Sequence, residues 1–259
     1  MKYLTPPKIL ILGDIHGRPI WKDIITKEQP RIVVFLGDYC TTHDDISPED
    51  QLKNLLEILD MKEREWDWGP FVGANSYGGP DEIIMLRGNH DLQCLGYYWT
   101  RGWSGYEPYA NEHFPRERFL KNTQWVYEFN VEVNGKNKKY VCSHAGISEE
   151  WLKMIEYTGT IGHLNELEPD AKFGFTGWHP SGDDPTQSLT WIRPGSLIKH
   201  LAHPYQIVGH TPVKEITRLC TGDGSVDVWL CDALGINQYL VVENNEFKDK
   251  TWAPGKKQD

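Results

Sequence analysis

Residues 8–17 read KILILGDIHG, an apolar run followed at once by glycine, aspartate and histidine. A short apolar run that ends in glycine and a polar residue predicts a buried strand feeding a loop. The arrangement returns in RIVVFLGD over residues 31–38 and in EIIMLRGNHD over residues 82–91. These three segments predict strands whose ends carry polar side chains.

Two helices are predicted between these strands. One begins near Pro19, a residue suited to the first helical position, and runs to about Glu28. The other begins at Ser47, which can cap a helix, and runs to about Arg64 with leucines at helical spacing. The first half therefore has the order β-α-β-α-β.

The second half has the pattern of antiparallel hairpins. Its predicted strands are Gln124–Val133, Lys139–Cys142, Tyr205–Val208, Ser225–Leu230 and Gln238–Val242. Asn134-Gly135 is typical of a hairpin turn, and a helix is predicted over Ser148–Tyr157. Together the two halves predict two sheets packed together and covered by helices, an α/β sandwich in a single domain over residues 1–253. Residues 254–259 are predicted to form a frayed tail.

The chain has 259 residues, of which 39% are hydrophobic and 25% charged, as in globular proteins. Its formal net charge of −10 lacks the basic character of a protein that tracks a long nucleic acid. A short nucleotide substrate is still compatible with this negative net charge, because a bound cation can supply a local positive centre. The apolar runs are too short for a membrane span or a signal peptide. Five scattered cysteines indicate reduced thiols, so a cytoplasmic protein is expected.

Metal-capable side chains follow five predicted strand ends or strand-following loops. They are Asp14 with His16, Asp38, Asn89 with His90 and Asp91, His144, and His210. Strand ends are where open α/β sheets place ligands. Carboxylate, imidazole and amide oxygen form a mixed set suited to Mn, Fe, Zn or Ni rather than to a structural zinc site. A carboxylate such as Asp38 can bridge two cations about 3.5–4 Å apart, a spacing that clamps a phosphoryl group.

Each motif taken alone has an ordinary structural alternative. A single Asp-x-His, or one histidine after a strand, is more often a satisfied polar residue than a ligand. Gly-Asn-His-Asp is more specific, because four specified residues seldom recur by chance. The order of the five sites along successive strand ends favours one shared site.

In this order, Asp-x-His, Gly-Asp, Gly-Asn-His-Asp, His-Ala-Gly and Gly-His-Thr resemble the motifs of the calcineurin-like metallophosphoesterase superfamily, from Ile9 to about Leu240. LRGNHD over residues 86–91 and CSHAGI over residues 142–147 are most similar to its phosphoprotein phosphatase branch. TWIRP over residues 190–194 resembles a segment of tetraphosphatases and of phage and bacterial protein phosphatases. The resemblance implies a four-layer α/β/β/α fold, a β-sandwich of two mixed sheets flanked by helices.

The resemblance also implies roles for individual residues. The first metal would be held by Asp14, His16 and Asp38, and the second by Asp38, Asn89, His144 and His210. His90 would be the general acid that protonates the leaving oxygen, and Arg87 and Arg193 would grip phosphate oxygens. Asp91 would either orient its neighbours or join a surface hydrogen-bond network.

The second motif departs from the family pattern. Protein phosphatases of this branch extend it to Gly-Asp-x-Val-Asp-Arg-Gly, whereas this chain has GDYCTTH over residues 37–43. Thr41 therefore stands at the position of the acid that orients the catalytic histidine, and Thr42 at that of a phosphate-gripping arginine. Asp44 or Asp45 is a candidate substitute for the acid. Gly-His-Thr-Pro lacks the second histidine of the phosphodiesterase branches, which favours a phosphatase.

Several other segments have two interpretations. The aromatic stretch over residues 97–106 forms either a wall that stacks a base or peptide, or ordinary packing, which is favoured. The loop over residues 66–80 is long enough for a lid but is equally compatible with a surface excursion. Arg18 is a further candidate for gripping phosphate, with a helix cap or a salt bridge as the alternative. Asp232 is expected to be structural.

Residues and resemblance together predict a metal-dependent phosphatase that hydrolyses phosphomonoesters, of the protein Ser/Thr phosphatase type, by in-line attack of a metal-bound hydroxide. Two divalent ions are expected, with Mn first and Fe, Zn or Ni as alternatives. The substrate would be a phosphoprotein, a nucleotide or a small phosphoester, with no membrane partner. A dinucleoside polyphosphate or other nucleotide hydrolase is the alternative. A catalytically inactive binding module is a minor alternative, disfavoured because all the expected ligands are present.

Overall fold

The computed structural model describes residues 6–41, 44–67, 79–97, 100, 108–133, 135–174 and 183–253. In chain order the strands are β1 (Ile9–Leu12), β2 (Ile32–Phe35), β3 (Glu82–Met85), β4 (Val126–Val133), β5 (Lys136–Ser143), β6 (Tyr205–Val208), β7 (Thr217–Cys220), β8 (Asp227–Leu230), β9 (Gln238–Glu243) and β10 (Glu246–Thr251). The α-helices are α1 (Trp21–Glu28), α2 (Pro48–Asp67), α3 (Asn89–Cys94), α4 (Pro108–His113), α5 (Arg116–Asn122), α6 (Glu149–Met154) and α7 (Pro194–Leu197). Short 3-10 helices cover Ile161–Glu166, Ala171–Phe173 and Leu234–Ile236.

The first sheet has the order β10-β9-β1-β2-β3. Strands β1, β2 and β3 run parallel, with Ile9 opposite Ile32. Strand β9 pairs antiparallel with β1, and β10 pairs antiparallel with β9. Because the three parallel strands end at the same edge, the loops that carry Asp14, Asp38 and Asn89 begin side by side.

The second sheet has the order β4-β5-β6-β8-β7. Strands β4 and β5 form an antiparallel hairpin, β5, β6 and β8 run parallel, and β7 returns antiparallel to β8. The chain carries His144 directly after β5, His210 after β6 and Asp232 after β8. This sheet therefore presents a second set of polar side chains at the ends of its parallel strands.

Alternation along the strands divides the apolar side chains between two sides of each sheet. Ile11 belongs to an apolar layer shared with Tyr140 of the second sheet, whereas its neighbour Leu10 packs in a cluster with Leu55 of α2. Leu197 of α7 packs in a third cluster with residues of β6 and β8. Successive side chains of a strand point to opposite faces, so the two sheets pack face to face and helices cover their outer sides. The predicted fold class, two mixed sheets flanked by helices, is confirmed.

The predicted strands are present with ends that differ by a few residues, and the helix predicted over residues 148–157 is the shorter α6. Helices α3, α4, α5 and α7 and strands β7 and β10 lie outside the predicted set, because short elements show too little periodicity. Asn134, the tail and most of the loop over residues 66–80 and of the aromatic stretch over residues 97–106 fall outside the described residues. Within the described part of the chain, no helix combines the length and apolar character needed to cross a bilayer.

Candidate metal centre

The polar loops of the two sheets meet around one cavity of about 390 Å³. The predicted ligands on its wall are Asp14, His16, Asp38, Asn89 and His210. The sixth, His144, is fully buried and lies against Asn89, with 2.9 Å between its Nε2 and the Asn89 Oδ1. The fold therefore brings all six together, although Asp14 and His210 are 196 positions apart in the chain.

One group of ligand atoms belongs to Asp14, His16 and Asp38, which all lie within 4.8 Å of one another. The His16 Nε2 is 3.9 Å from the Asp14 Oδ2 and 4.0 Å from the Asp38 Oδ2. The His16 Nδ1 donates to the Thr41 carbonyl at 2.8 Å, and a carbonyl oxygen can only accept. This bond fixes the tautomer and leaves the His16 Nε2 as the ligand atom.

A second group belongs to Asp38, His144 and His210, so the Asp38 carboxylate is shared by both groups. The His144 Nε2 lies 3.4 Å from the Asp38 Oδ2. The Asn89 Oδ1 is 3.0 Å from the His210 Nδ1, which adds an amide oxygen to this group. The His144 Nδ1 donates to the Leu36 carbonyl at 2.8 Å and the His210 Nε2 to the Trp191 carbonyl at 3.1 Å. The opposite nitrogen of each ring is therefore the one available to a metal ion.

The charges of these groups fit two divalent cations. Burial lowers the pKa of His16 and of His210, so both are neutral imidazoles with a lone pair to give. Burial also lowers the pKa of His144, but the charges of Asp38 and Asp14 outweigh burial and raise that pKa to about 10. Burial raises the pKa of Asp14. Carboxylates crowded in this way favour a nearby positive charge. In the metal-free protein, bound protons supply it, and a metal cation that displaces these protons would supply it instead.

Three of the candidate ligands lie on left-handed backbone. The angle φ is 45° at His16, 53° at Asp38 and 63° at His210. Residues other than glycine seldom adopt this region, and such conformations cluster at functional sites. Gly88 lies so close to Asp38 that a β-carbon there would collide with the Asp38 carboxylate. The Gly-Asn-His-Asp motif therefore requires glycine at its first position.

Asp91 is fully buried beneath the ligands and does not line the cavity. The Asp91 Oδ1 accepts from the Tyr39 amide at 2.9 Å, and its Oδ2 accepts from the amides of Asp38 at 2.9 Å and Gly88 at 2.7 Å. Burial and the charge of Asp38 raise the pKa of Asp91 to about 7. Asp91 therefore connects the loop after β2 to the loop after β3. Of its two predicted roles, its burial fits the orientation of its neighbours and does not fit a surface hydrogen-bond network.

His90, the predicted general acid, lines the cavity beside these ligands. The His90 Nδ1 is hydrogen-bonded to the hydroxyl of Thr41. Asp44, one candidate for the orienting role, instead accepts a hydrogen bond from the Arg18 Nε at 2.8 Å. Asp45, the other candidate, is exposed. The His90 ring is thus hydrogen-bonded to the threonine that stands where the family has an acid.

Arg193 and Arg18 both line the cavity. The Arg193 Nη1 donates to the His210 carbonyl at 2.9 Å and to the Thr211 Oγ1 at 3.1 Å. Arg18 forms a salt bridge with Asp44, one of its two predicted interpretations, and its place on the cavity wall is compatible with the other. Thr42, where the family has an arginine, lies outside the described residues. Asp232 also lines the cavity, and its position just after β8 is the sequence feature that could have indicated this.

Arg87 does not line the cavity, which disagrees with its predicted role on phosphate. Its guanidinium donates to the Thr123 Oγ1 at 2.9 Å, the Thr123 carbonyl at 2.8 Å and the Leu120 carbonyl at 3.1 Å. It also lies 4.7 Å from the centre of the Trp125 ring. Leu120 and Thr123 are at the C-terminal end of α5, where free carbonyls attract a cation. Arg87 therefore stabilises this helix end and is not assigned to the substrate.

Comparison with known proteins gives both a family and structural neighbours. A family model described as calcineurin-like phosphoesterase matches residues 7–239. The structure of a cold-active protein-tyrosine phosphatase from the psychrophile Shewanella sp. is 19% identical, with a TM-score of 0.58, over 96% of this chain and 80% of that one. A mutant cold-active protein tyrosine phosphatase is 18% identical, with a TM-score of 0.57, over 96% and 80%. An archaeal phosphodiesterase is 14% identical, with a TM-score of 0.37, over 95% and 99%. No curated protein matches at a significant level.

The structural neighbours are too dissimilar in sequence to bear on more than the fold, and the first two show the fold alone. The family model, in contrast, spans most of the chain and includes every candidate ligand from Asp14 to His210. The two ligand groups joined by Asp38 supply the donors that a two-metal phosphoesterase requires. The chain belongs to the calcineurin-like phosphoesterase family and is a dimetal phosphoester hydrolase.

Proposed function

We propose that the chain is a phosphatase that hydrolyses phosphomonoesters, of the protein Ser/Thr phosphatase type. The observation that carries this proposal is the sharing of Asp38 between two ligand groups, with His90 and Arg193 on the same cavity wall. Hydrolysis of a monoester needs an activated water, positive groups that offset the negative charge of the phosphoryl oxygens, and a proton donor for the leaving oxygen. Each of these tasks has a side chain or ligand group of suitable chemistry in this cavity.

The proposed cofactor is a pair of divalent cations, Mn first and Fe, Zn or Ni as alternatives, because the donors are a mixed set of oxygen and nitrogen. The first ion would be held by Asp14, His16 and Asp38, and the second by Asp38, Asn89, His144 and His210. When bound, the ions lower the pKa of water and offset charge on the phosphoryl oxygens. The chain's own contribution is to fix each imidazole by a carbonyl and to keep the two groups joined.

His90 is proposed to give its Nε2 proton to the leaving oxygen. The His90 Nε2 lies 4.0 Å from the Asp38 Oδ2, which places it beside the carboxylate that joins the two groups. The His90 amide donates to the Asp38 Oδ1 at 2.9 Å, so the general acid and the shared ligand are fixed relative to each other. This contact keeps the proton donor close to the leaving group of a substrate bound at the metals.

Arg193 is proposed to bind the phosphate oxygens. Its Nη1 is used by the His210 carbonyl and the Thr211 hydroxyl, so its other N–H groups are the ones it can offer to a phosphate. Burial lowers the pKa of Arg193, yet an arginine stays charged at neutral pH. The anchoring to His210 places this charge next to the second ligand group.

A phosphoprotein is the substrate proposed first. A dinucleoside polyphosphate or other nucleotide is the second candidate, since Trp191 is among the residues that line the cavity and a base can stack on an aromatic side chain. A cytoplasmic location is proposed from the five free thiols, which fit a reducing compartment.

The proposal is tested with one substrate panel in the presence of Mn: a phosphopeptide, p-nitrophenyl phosphate, its diester, and a diadenosine polyphosphate. We expect the phosphopeptide and the monoester to be hydrolysed faster than the others. Faster turnover of the diadenosine compound would support the second candidate. Turnover of the diester alone would contradict the phosphatase proposal.

Three variants separate metal binding from proton transfer. Asp38→Asn and Asn89→Ala should lose bound metal and activity together, because each removes an oxygen donor. His90→Asn should lose activity on poor leaving groups by roughly 100-fold or more while it keeps its metal. Metal content is measured by atomic emission on protein purified without chelator, and turnover on phenyl phosphate. Full turnover by His90→Asn would contradict the role of His90.

A further inference from the structure

We propose that Thr41 positions the His90 ring: its neutral hydroxyl holds the imidazole at the place where the family pattern has a carboxylate. This inference rests on the proposed role of His90 as general acid. The His90 Nδ1 is hydrogen-bonded to the Thr41 Oγ1. Thr41 is itself buried at the cavity wall. It is therefore close enough to hold the ring without contacting a leaving group at the His90 Nε2.

The direction of this hydrogen bond follows from counting protons. The Thr41 hydroxyl donates to the Cys40 carbonyl at 2.6 Å, and that carbonyl can only accept. A hydroxyl has one hydrogen, so toward the His90 Nδ1 the Thr41 oxygen must accept. The His90 Nδ1 therefore carries a hydrogen, and its Nε2 is the nitrogen that exchanges a proton with the substrate. One hydroxyl thereby fixes both the tautomer and the ring orientation.

Thr41 is held firmly enough for this role. Its amide donates to the Gln51 Oε1 at 2.6 Å, and the Gln51 Nε2 donates to the Ile46 carbonyl at 2.8 Å. Gln51 is 3% exposed and belongs to α2, a helix of 20 residues. Thr41 has a φ of 63°, a value that β-branched residues rarely adopt. The contacts with the helix hold the backbone in this conformation and aim the hydroxyl at His90.

The acids nearby are engaged elsewhere. Asp44 accepts from the Arg18 Nε at 2.8 Å. The two oxygens of Asp91 accept from three backbone amides. Asp38 accepts from the His90 amide and so fixes its backbone, and its Oδ2 lies 4.0 Å from the His90 Nε2, whereas the His90 Nδ1 is hydrogen-bonded to Thr41. A hydroxyl here gives direction to the imidazole without placing a further negative charge beside the metal ligands.

The decisive variant is Thr41→Val, which keeps the β-branched shape and removes only the hydroxyl. Thr41→Ser restores the hydroxyl and is the rescue variant. Thr26→Val, on the exposed face of α1, is the matched control for the same chemical change. Turnover is measured with Mn on phenyl phosphate, a poor leaving group, and on p-nitrophenyl phosphate, a good one. Metal content and far-UV circular dichroism are measured alongside.

A misplaced general acid slows the hydrolysis of substrates with poor leaving groups most, because the departure of such groups depends most on protonation. We expect Thr41→Val to lower kcat on phenyl phosphate by about tenfold or more, with a smaller loss on p-nitrophenyl phosphate and unchanged KM and metal content. Thr41→Ser should recover most of the loss. Equal losses on both substrates, or wild-type kcat on both, would overturn the proposal.

A second readout does not depend on activity. Imidazole nitrogen NMR spectra of the metal-free protein, with His90 assigned through His90→Gln, should show the Nδ1–H tautomer in the wild type and a tautomer mixture in Thr41→Val. The same tautomer population in both proteins would overturn the positioning role. If the spectra change as expected but the wild type hydrolyses neither substrate, the positioning of His90 stands and the proposed phosphatase function fails.

Discussion

Replacing Arg87 with methionine separates a structural arginine from one that binds phosphate. The sequence places Arg87 next to the Gly-Asn-His-Asp motif, but its guanidinium donates to Thr123 and to the Leu120 carbonyl. Methionine keeps much of the side-chain volume and removes the charge and the donors. Arg193→Met makes the same change on the cavity wall and is the matched control.

The size of the effect follows from the contacts. Three hydrogen bonds from a charged donor are together worth about 6 kcal/mol. Burial lowers the pKa of Arg87 to about 10, and the guanidinium nevertheless stays charged at neutral pH. Because Arg87→Met loses these bonds and leaves their buried acceptors unpaired, the free energy of unfolding should fall by about 3 kcal/mol or more.

The assay is urea denaturation of the metal-free proteins, followed by steady-state kinetics on p-nitrophenyl phosphate with Mn. We expect Arg87→Met to lower the free energy of unfolding and leave KM near the wild-type value at a temperature where the protein is folded. Arg193→Met should raise KM by about 10- to 100-fold, the loss of one charge-assisted contact to phosphate. A tenfold rise in KM for Arg87→Met without a loss of stability would refute this reasoning.

Two further predictions concern buried acids. Asp91→Asn replaces an oxygen that accepts hydrogen bonds from backbone amides, so the loops after β2 and β3 lose part of their connection. Calorimetric titration should therefore show an Mn affinity about 10- to 100-fold lower. Wild-type affinity together with a lost kcat would point to a direct chemical role of Asp91 instead. Burial alone would raise the pKa of Glu28, but its bonds with Lys250, Lys8 and a tyrosine hydroxyl lower that pKa from 4.5 to about 2. Because the folded-state pKa is depressed, the contribution of Glu28 is full above about pH 4.5 and is lost as the pH falls toward 2. Glu28→Gln should therefore lower the free energy of unfolding by roughly 3 kcal/mol at pH 7. In denaturation curves, this difference between variant and wild type should shrink as the pH falls toward 2. A difference that does not depend on pH would contradict the ion-pair explanation.

The strands that position the site were predictable because their sequences are simple. Strands β1, β2 and β3 are apolar runs with glycine close behind, and both faces of such strands are buried. Strand β7 reads TRLC, and its residues are alternately half-buried and exposed, so an edge strand of this kind has no buried apolar run to find. Helix α3 has six residues and begins inside the Gly-Asn-His-Asp motif, where helical periodicity cannot show.

The convergence of the six candidate ligands was predictable from motif order, whereas the contacts between loops were not. Asn89 and Arg87 are two positions apart, yet one lines the cavity and the other contacts the end of α5. The Thr41 contact with His90 joins residues 49 positions apart and requires a left-handed backbone at Thr41. Such partners depend on how the loops of two sheets are packed, and a linear pattern contains no information on that packing.

The most direct test is anomalous X-ray diffraction from crystals grown with Mn. Two anomalous peaks should appear on either side of Asp38, about 3.5–4 Å apart. One should lie against Asp14 and His16, and the other against Asn89, His144 and His210. A single peak, or peaks away from Asp38, would contradict a two-metal centre built on that shared carboxylate.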